Sequence, residues 1–241
     1  MKKCVMLAAM FFVGITASSA QEIREMFGSD QKGKILYGIR AGLNVSNLAG
    51  EYGPDSGDEL DFDSRVGFHV GGVVDIPITN GFYVQPGLLF STRGAKDKYS
   101  YSESGYSEEA TSKYRPIYLE IPVLASFRAD VSSTVNVQVN VGPHFAFGLG
   151  GQCKEAYNDS DGNSESVKYP FFGESTDKED HFGAKRFDFG LTFGAGVMLW
   201  EHYYVGIAYD FGLVNMAVDK EWGDKAKFRN RNFSIQLGYN F

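Results

Sequence analysis

The chain has 241 residues, of which 43% are hydrophobic, 15% aromatic and 22% charged, and its formal net charge is −7. These figures exclude a disordered or collagen-like chain, because such chains lack the apolar side chains that 20 Phe and 14 Tyr supply here. The acidic balance argues against nucleic acid as a partner, since phosphates attract surfaces rich in Lys and Arg.

Residues 1–20 predict a cleaved secretory signal peptide. A start with two lysines precedes an apolar run over residues 5–15, and Ser-Ser-Ala follows at its end. The apolar run is about half as long as a membrane-spanning helix requires. Cleavage removes Cys4 and leaves Cys153 alone, so no disulfide is expected within the mature chain. We expect residues 21–34 to form a short periplasmic lead.

Eight segments of residues 35–241 alternate bulky apolar side chains with small or polar ones. This period of two is typical of strands with two unlike faces. Each segment reaches about the 9 to 11 residues that a tilted strand needs to cross a bilayer. In chain order the segments are residues 35–46, 66–76, 82–90, 117–127, 135–147, 187–199, 205–211 and 233–241.

The connections between these segments alternate in length. The short turns are residues 77–81, 129–133 and 201–202, and the long polar connections are residues 46–64, 95–113, 150–182 and 217–228. An up-and-down barrel places every second connection on the same rim, as outer-membrane barrels do with short periplasmic turns and longer external loops. The pattern predicts an all-β fold, an eight-stranded antiparallel up-and-down transmembrane β-barrel with four long external loops. Residues 35–241 are its outer-membrane barrel domain.

The alternation alone leaves open which face is inside. A soluble lipocalin-like barrel would turn the apolar set inward around a ligand. The apolar set is too bulky for the interior of an eight-stranded barrel, which holds only modest side chains. The opposite face carries many glycines, such as Gly38, Gly190 and Gly206, and these fit a narrow lumen. We therefore expect the bulky face to contact lipid.

Aromatic residues gather at the strand ends nearest the short turns. Amphipathic rings prefer the headgroup level of a bilayer, so these residues predict a girdle at the membrane interface. They are Tyr37, Tyr83, Phe127, Trp200, Tyr203, Tyr239 and Phe241.

Several motifs together resemble the PorT-like outer-membrane β-barrel family of the Bacteroidota. They are YGIRAGLNVS at residues 37–46, VQPGLLFS at 84–91, YLEIPVL at 118–124, FGL with GAGV at 189–197 and LGYNF at 237–241. The motifs cover nearly all of the mature chain, and Tyr-Leu-Glu-Ile-Pro is the most specific of them. The resemblance implies an outer-membrane location and a terminal Phe241 that the barrel-assembly machinery reads. The name-giving member is associated with type IX secretion, but membership implies neither conduction nor secretion for this chain.

Polar residues on the inward parity form the candidate site. Arg40 and Glu120 both point inward near mid-height, which predicts an ion pair across the lumen. The other inward candidates are His69, Gln85, Asn140, His144, Asp188 and Asp210. Either these groups fill and brace the lumen, which the small bore favours, or breaking the Arg40 to Glu120 pair opens a thread of water.

The sequence predicts no catalytic site, metal or cofactor. A lipid-processing His-Ser pair should face the bilayer, whereas His69 and His144 fall on the inward parity. The acidic residues around His181 are typical of a solvated loop. The carboxylates of residues 46–64 lack the spacing of an EF-hand.

The expected function is a structural or binding role through the external loops, as a surface component or an accessory of an envelope or secretion assembly. Outer-membrane lipid and lipopolysaccharide are expected neighbours. The long connection 150–182 is expected to fold over the barrel mouth or to meet an envelope protein. Its aromatic residues are Tyr157, Tyr169, Phe171, Phe172 and Phe182. The alternative function is a low-conductance channel for ions or very small solutes.

Overall fold

The computed structural model describes residues 34–51, 59–79, 81–103, 106–161, 164–173, 183–218 and 227–241. The predicted signal peptide and all but the last residue of the predicted lead lie outside these ranges. Within them, no helix is long and apolar enough to cross a membrane.

The described residues form strands joined by turns and short irregular segments. The strands are β1 (Leu36–Glu51), β2 (Glu59–Asp61), β3 (Asp63–Thr79), β4 (Phe82–Thr92), β5 (Ala95–Glu103), β6 (Tyr106–Ser132), β7 (Val135–Asp159), β8 (Ser164–Pro170), β9 (Phe187–Leu199), β10 (Tyr203–Gly212) and β11 (Lys227–Asn240).

Eight of these described strands close into an antiparallel ring. The order around the ring is β1, β3, β4, β6, β7, β9, β10 and β11, and β11 pairs with β1 from Asn240 opposite Gly38 to Lys227 opposite Glu51. Each ring strand therefore lies beside the ring strands that precede and follow it in the chain, which is the predicted up-and-down order. Closure leaves the ring without a free edge, so its backbone groups pair with one another.

The two faces of the ring differ as the alternation predicts. Apolar side chains on the outer face are open to the surroundings, with Val139 55% and Ile207 48% exposed. Their chain neighbours on the inner face are buried, with Gln138 fully buried and Ala208 8% exposed. The prediction that the bulky face points outward is confirmed.

One end of the ring has short turns. Between β9 and β10, Trp200 and Glu201 adopt φ values of 50° and 63°, and the His202 amide donates to the Leu199 carbonyl at 3.1 Å. Two successive positive φ values fit the twist of a two-residue hairpin. This connection is residues 200–202, one residue longer than the predicted turn. The other two turns are shorter than predicted, because β3 and β4 are separated by residues 80–81 and β6 and β7 by residues 133–134.

At the opposite end, two connections predicted as loops are largely strand. Residues 95–113 contain β5 and the start of β6, and residues 150–182 contain the end of β7 and all of β8. These strands pair in the order β5, β6, β7 and β8, and the four-stranded extension of residues 95–114 and 151–170 is called the projecting sheet below. The polar composition was misleading, because β6 and β7 stay paired beyond the ring, with one register shift between Ile117 and Tyr118. Cross-strand pairing satisfies their backbone groups.

An apolar cluster, called the plug below, fills the ring at this same end. Phe171 is fully buried and Phe172 is 4% exposed, with their rings at 87° and 4.9 Å between centroids. The prediction that aromatic residues of the long connection fold over the mouth is thus confirmed for these two, whereas Phe182 lies outside the described residues. The plug consists of Leu48, Phe62, Ala95, Tyr114, Tyr118, Ala146, Cys153, Phe171, Phe172, Ala184, Met216, Ala217 and Phe228.

Candidate functional site

The candidate site is the polar lumen, and its main ion pairs converge on Arg93. Arg93 Nε lies 2.6 Å from Glu120 Oε1, and Arg93 Nη2 lies 2.6 Å from Asp210 Oδ2. All three side chains are buried. Arg93 follows β4 directly, whereas Asp210 lies on β10, four strands away in either direction around the ring. The guanidinium therefore bridges the whole width of the lumen.

Hydrogen bonds hold the Asp210 carboxylate in place. Thr192 Oγ1 donates to Asp210 Oδ1 at 2.7 Å, and Asn232 Nδ2 donates to Asp210 Oδ2 at 3.0 Å. His144 Nδ1 lies 3.0 Å from Thr192 Oγ1. These contacts satisfy a carboxylate that is buried inside the ring.

Asp188 connects the lumen to the plug. Asn230 Nδ2 donates to Asp188 Oδ2 at 2.7 Å and to the Tyr118 hydroxyl at 3.3 Å. Tyr118 is fully buried against Phe172, with 5.6 Å between ring centroids. The polar layer and the apolar plug above it therefore pack as one unit.

His69 is fixed on another side of the lumen. Its Nδ1 lies 2.8 Å from Asn44 Oδ1, and Asn44 Nδ2 donates to Ser91 Oγ at 3.0 Å.

The predicted pair of Arg40 with Glu120 does not form. Arg40 Nη1 donates to Asn240 Oδ1 at 2.8 Å, and the guanidinium lies 4.6 Å from the Tyr204 ring centroid. Arg93 forms the ion pair with Glu120 instead. Arg93 lies three residues beyond the predicted end of its strand, so the prediction did not include it. The prediction was wrong because Arg40 and Glu120 belong to different layers of the lumen.

Arg40 is part of a second polar layer nearer the short-turn end. Asn240 Nδ2 donates to Asp75 Oδ2 at 3.0 Å, and Arg128 Nη2 donates to the same oxygen at 2.5 Å. Arg128 Nε in turn donates to Gln138 Oε1 at 2.9 Å. The contacts form a closed circuit through Arg40, Asn240, Asp75, Arg128, Gln138, Asn140, Tyr204 and back to Arg40. Gln85 joins this circuit through its amide, which donates to Asp75 Oδ1 at 2.5 Å.

A cavity of about 60 Å³ lies between the two layers. Since a water molecule needs roughly 10–15 Å³ of such space, this cavity holds on the order of four waters. Its walls include side chains of both layers, among them Arg40, His69, Gln85, Glu120, Asn140, His144 and Asp210. The structure thus gathers seven of the eight predicted lumen residues around one small chamber, and Asp188 lies beside the plug.

Several residues that organise the lumen were missed from the sequence, above all Arg93, Asp75 and Arg128. The sequence did contain a signal for Arg93, because the inward parity of Gln85 and Ser91 on β4 continues to position 93. The signal was missed because the predicted strand ended at residue 90. Asp75 lies on a predicted strand whose end is dominated by apolar residues, and Arg128 lies one residue beyond the predicted end of its strand at residue 127.

Most residues of the predicted girdle lie on the outer face of the ring. Tyr37, Phe127, Trp200, Tyr203 and Phe241 are all more than half exposed on the outer face. Tyr239 is half-buried between Tyr203 and Phe241, at 5.4 and 5.2 Å between ring centroids.

Tyr83 was assigned to the girdle incorrectly. It shares the inward parity of Gln85, and its ring lies under the Arg128 guanidinium at 4.4 Å. Tyr83 therefore lies at the short-turn mouth of the lumen and not against lipid.

The other candidate catalytic and metal-binding residues lie mostly outside the described residues. His181 with its acidic neighbours is not among the described residues, and of the acidic first connection only the side chain of Asp63 is described. In the ranges that are described, no three His, Cys, Asp or Glu side chains converge as metal ligands. Cys153 is a free thiol buried in the plug.

Comparison with known protein families identifies the family of the chain. Residues 19–218 match the family described as outer membrane protein beta-barrel domain. No curated protein sequence matches the chain.

Three solved structures are similar to the chain at low sequence identity. Ail of Yersinia pestis, solved with the heparin analogue sucrose octasulfate, is 14% identical over 87% of this chain and 100% of its own, with a TM-score of 0.36. Neisserial surface protein A is 11% identical over 87% and 100%, with a TM-score of 0.39. OprG of Pseudomonas aeruginosa is 12% identical over 89% and 99%, with a TM-score of 0.42. Likeness at this level says nothing about ligands.

The match to the family model spans most of the chain, and the described strands form a closed antiparallel ring with an apolar exterior and a polar interior. The chain belongs to the outer membrane protein beta-barrel domain family and is a protein of the outer membrane.

Proposed function

We propose that this protein is an eight-stranded transmembrane barrel with a closed lumen, and that its role is structural or in binding through the long-loop end. One observation carries the proposal: Arg93 joins Glu120 and Asp210 between opposite sides of the ring, directly below the plug. A barrel held together by these ion pairs is a stable support for the strands and loops at its long-loop end.

The layered interior opposes conduction. An ion moving along the axis would have to pass the apolar plug, separate Arg93 from its carboxylates and break the circuit around Arg128. The last two steps each leave a buried charge without its partner, which costs several kcal/mol. The chamber between the layers is too small to be a channel by itself.

The orientation follows from the rule for this class of barrel, in which short turns face the periplasm and longer connections face outward. Phe241 then lies on the periplasmic side, where the barrel-assembly machinery reads terminal strands. The projecting sheet lies outside the cell, where residues 150–182 meet an envelope partner. The motifs shared with the PorT-like family support an accessory role in an envelope or secretion assembly.

The alternative is a low-conductance channel, and one observation favours it. A vestibule of about 700 Å³ opens at the short-turn end and reaches Arg128 and Tyr83. Water that enters this vestibule would contact Arg128 of the second polar layer. Movement of Arg93 away from Glu120 would then leave a narrow polar path.

Single-channel recording in planar bilayers separates the two functions. The closed-lumen proposal predicts no stable unitary current from the wild type under either polarity. Stable unitary currents that rise in Glu120→Gln would contradict it and favour the channel. Heat-dependent migration on gels, which reports a folded barrel, is the control for each preparation.

A binding role predicts a partner that depends on the projecting sheet. Deleting residues 155–167 and joining the ends with a short Gly-rich turn removes most of the β7–β8 hairpin but keeps Cys153 and Phe171 in the plug. A partner captured from outer membranes by crosslinking should be lost with this variant. Its retention by the deletion variant would contradict a role for this sheet.

A further inference from the structure

The two faces of the projecting sheet carry opposite charge. Antiparallel pairing places Lys96 opposite Lys113, Lys113 opposite Lys154 and Lys154 opposite Lys168. One row across four strands therefore consists of lysine alone. Lys98 and Arg115 lie two residues along on the same face, and Glu109 is the one acidic residue on that face of the described sheet.

The other face is acidic and aromatic. The row next to the lysines places Asp97 opposite Ser112, Ser112 opposite Glu155 and Glu155 opposite Val167. Further acidic residues of this face are Glu108, Asp159 and Glu165, and Tyr99 lies among them with 57% of its surface exposed. The separation of charge follows from strand parity alone.

The plug shows which way each face points. Ala95, Tyr114 and Cys153 are paired in one row on the acidic face, and all three are buried in the plug. The acidic face therefore turns toward the barrel axis, and the lysine face turns away from it. On β6 the lysine face continues directly into the lipid-facing parity at Ile117, four residues from Lys113, or about 13 Å at ~3.3 Å per residue.

The lysine row is unfavourable by itself. Directly opposed side chains in a sheet lie roughly 4.5–5.5 Å apart at Cβ, and like charges at that spacing destabilise the pairing. Across the described residues, none of the four ammonium groups takes part in an ion pair. An anionic ligand on this face would remove the repulsion.

Basic residues also border the lipid-facing surface elsewhere at the long-loop end. Arg231 lies two residues before Phe233 on the outward parity of β11 and stacks on Phe211, with 3.7 Å from its guanidinium carbon to the ring centroid. Lys185 is exposed two residues before Phe187. Cations therefore lie just beyond the apolar surface on β11 and immediately before β9.

We infer that the row of Lys96, Lys113, Lys154 and Lys168 binds the phosphate groups of outer-leaflet glycolipid, the lipid A portion of lipopolysaccharide. The face is cationic and points away from the barrel axis, toward the surrounding lipid headgroups. Its lysine row lies about 13 Å along β6 from the lipid-facing Ile117. Lysines recognise phosphate as flexible point charges and need no deep pocket. The inference rests on the orientation given under Proposed function, and it holds whether or not the lumen conducts.

Titration of the detergent-solubilised full-length protein with lipid A tests the inference. The wild type should bind mixed micelles of bisphosphorylated lipid A at least tenfold more tightly than micelles of the dephosphorylated form. Changing all four lysines to Gln should abolish that preference, and Lys96→Gln with Lys168→Gln, on the outer strands of the sheet, should reduce it in part. The matched control, Asp97→Asn with Glu108→Gln and Glu165→Gln on the opposite face, should retain it.

Unchanged affinity in the folded four-lysine variant would overturn the inference. In intact outer membranes the row should be occupied by lipid, so a fluorescent dextran sulfate should not bind there. Lysine-dependent binding of dextran sulfate to intact membranes would show a soluble polyanion as the ligand and overturn it as well.

Surface labelling separates this inference from the orientation on which it rests. A Tyr99→Cys variant should react with an impermeant maleimide on intact cells. Absence of labelling would overturn the orientation and both proposals, whereas labelling together with lysine-independent lipid A binding would overturn this inference alone.

Discussion

Arg93 and Asp210 are joined across the full width of the ring, with 2.6 Å between Nη2 and Oδ2, although their strands are as far apart as the ring allows. Glu120 binds the same guanidinium at 2.6 Å from Nε. Two carboxylates thus share one buried cation. Removing one member of such a group costs more than the whole group contributes, because it leaves charge buried without a partner.

Arg93→Met should therefore lower the unfolding free energy by about 3–5 kcal/mol. Urea titration in detergent, followed by gel migration, measures the change. The variant that also carries Glu120→Gln and Asp210→Asn should regain most of the loss, because no uncompensated charge remains. Lys185→Gln, an exposed cation, is the control and should be neutral. A neutral Arg93→Met would show that the cluster is not dehydrated.

Gly206 leaves room for the Tyr204 ring. A Cβ at position 206 would lie 2.6 Å from Tyr204 Cζ, whereas a Cβ at Gly150 would meet nothing within 4 Å. Gly206→Val should displace Tyr204 from Arg40 and cost about 1–3 kcal/mol of stability, as overpacking does. Gly150→Val should cost much less. Equal losses would show that strand propensity, and not the fit of Tyr204, sets the requirement for glycine.

Phe172 is the centre of the plug. Phe172→Ala should cost about 3–5 kcal/mol, since it removes a buried ring and leaves a cavity. Tyr99→Ala is the control, because Tyr99 is 57% exposed on the projecting sheet and lies outside the lipid-facing surface. Both variants are compared by the same urea titration. A loss in the control as large as in Phe172→Ala would argue that the plug is open to solvent.

Cys153 is expected to resist alkylation in the folded protein. Burial raises the pKa of its thiol to about 12 from an ordinary value of 9.0, so little thiolate forms at neutral pH. Iodoacetamide at pH 8.5 should label the unfolded chain and leave the folded chain unlabelled. Rapid labelling of the folded chain would contradict the buried position.

The same thiol makes stability depend on pH. The unfolded thiol ionises above its ordinary pKa of 9.0 while the folded thiol stays neutral up to about 12. The contribution of Cys153 is thus complete below pH 9 and is lost as the pH rises through this interval. Cys153→Ala should show a shallower fall in stability over that range, and an identical slope would contradict the account.

Alternation of side chains was enough to predict the ring, because lipid and lumen impose opposite demands on successive residues. Val139 and Asn140 illustrate this, one exposed and the other buried as parity requires. The same rule predicted that His69, Gln85 and Glu120 point inward. Parity fixes the side of the sheet on which a residue lies.

Contacts across the lumen could not be predicted in the same way. Parity does not say at which height two inward side chains meet, since strands are tilted and staggered around a ring. Arg40 was paired with Glu120 on a count from the turns, yet Arg40 belongs with Asn240 and Glu120 with Arg93. Tyr83 was misassigned because its place at a strand end outweighed its parity. The projecting sheet was missed because charged and polar residues occur on both of its faces and obscure the alternation.

Spin labels on adjacent residues of one strand test the central claim most directly, which is that the apolar face meets lipid while the polar face encloses a sealed interior. Labels at Ile207 and Val139, which are 48% and 55% exposed, should be relaxed strongly by oxygen dissolved in the bilayer. A label at Ala208, 8% exposed and adjacent to Ile207, should be shielded from oxygen and from a water-soluble nickel reagent alike. Relaxation of the label at Ala208 by the nickel reagent, or shielding of the labels at Ile207 and Val139 from oxygen, would contradict the account.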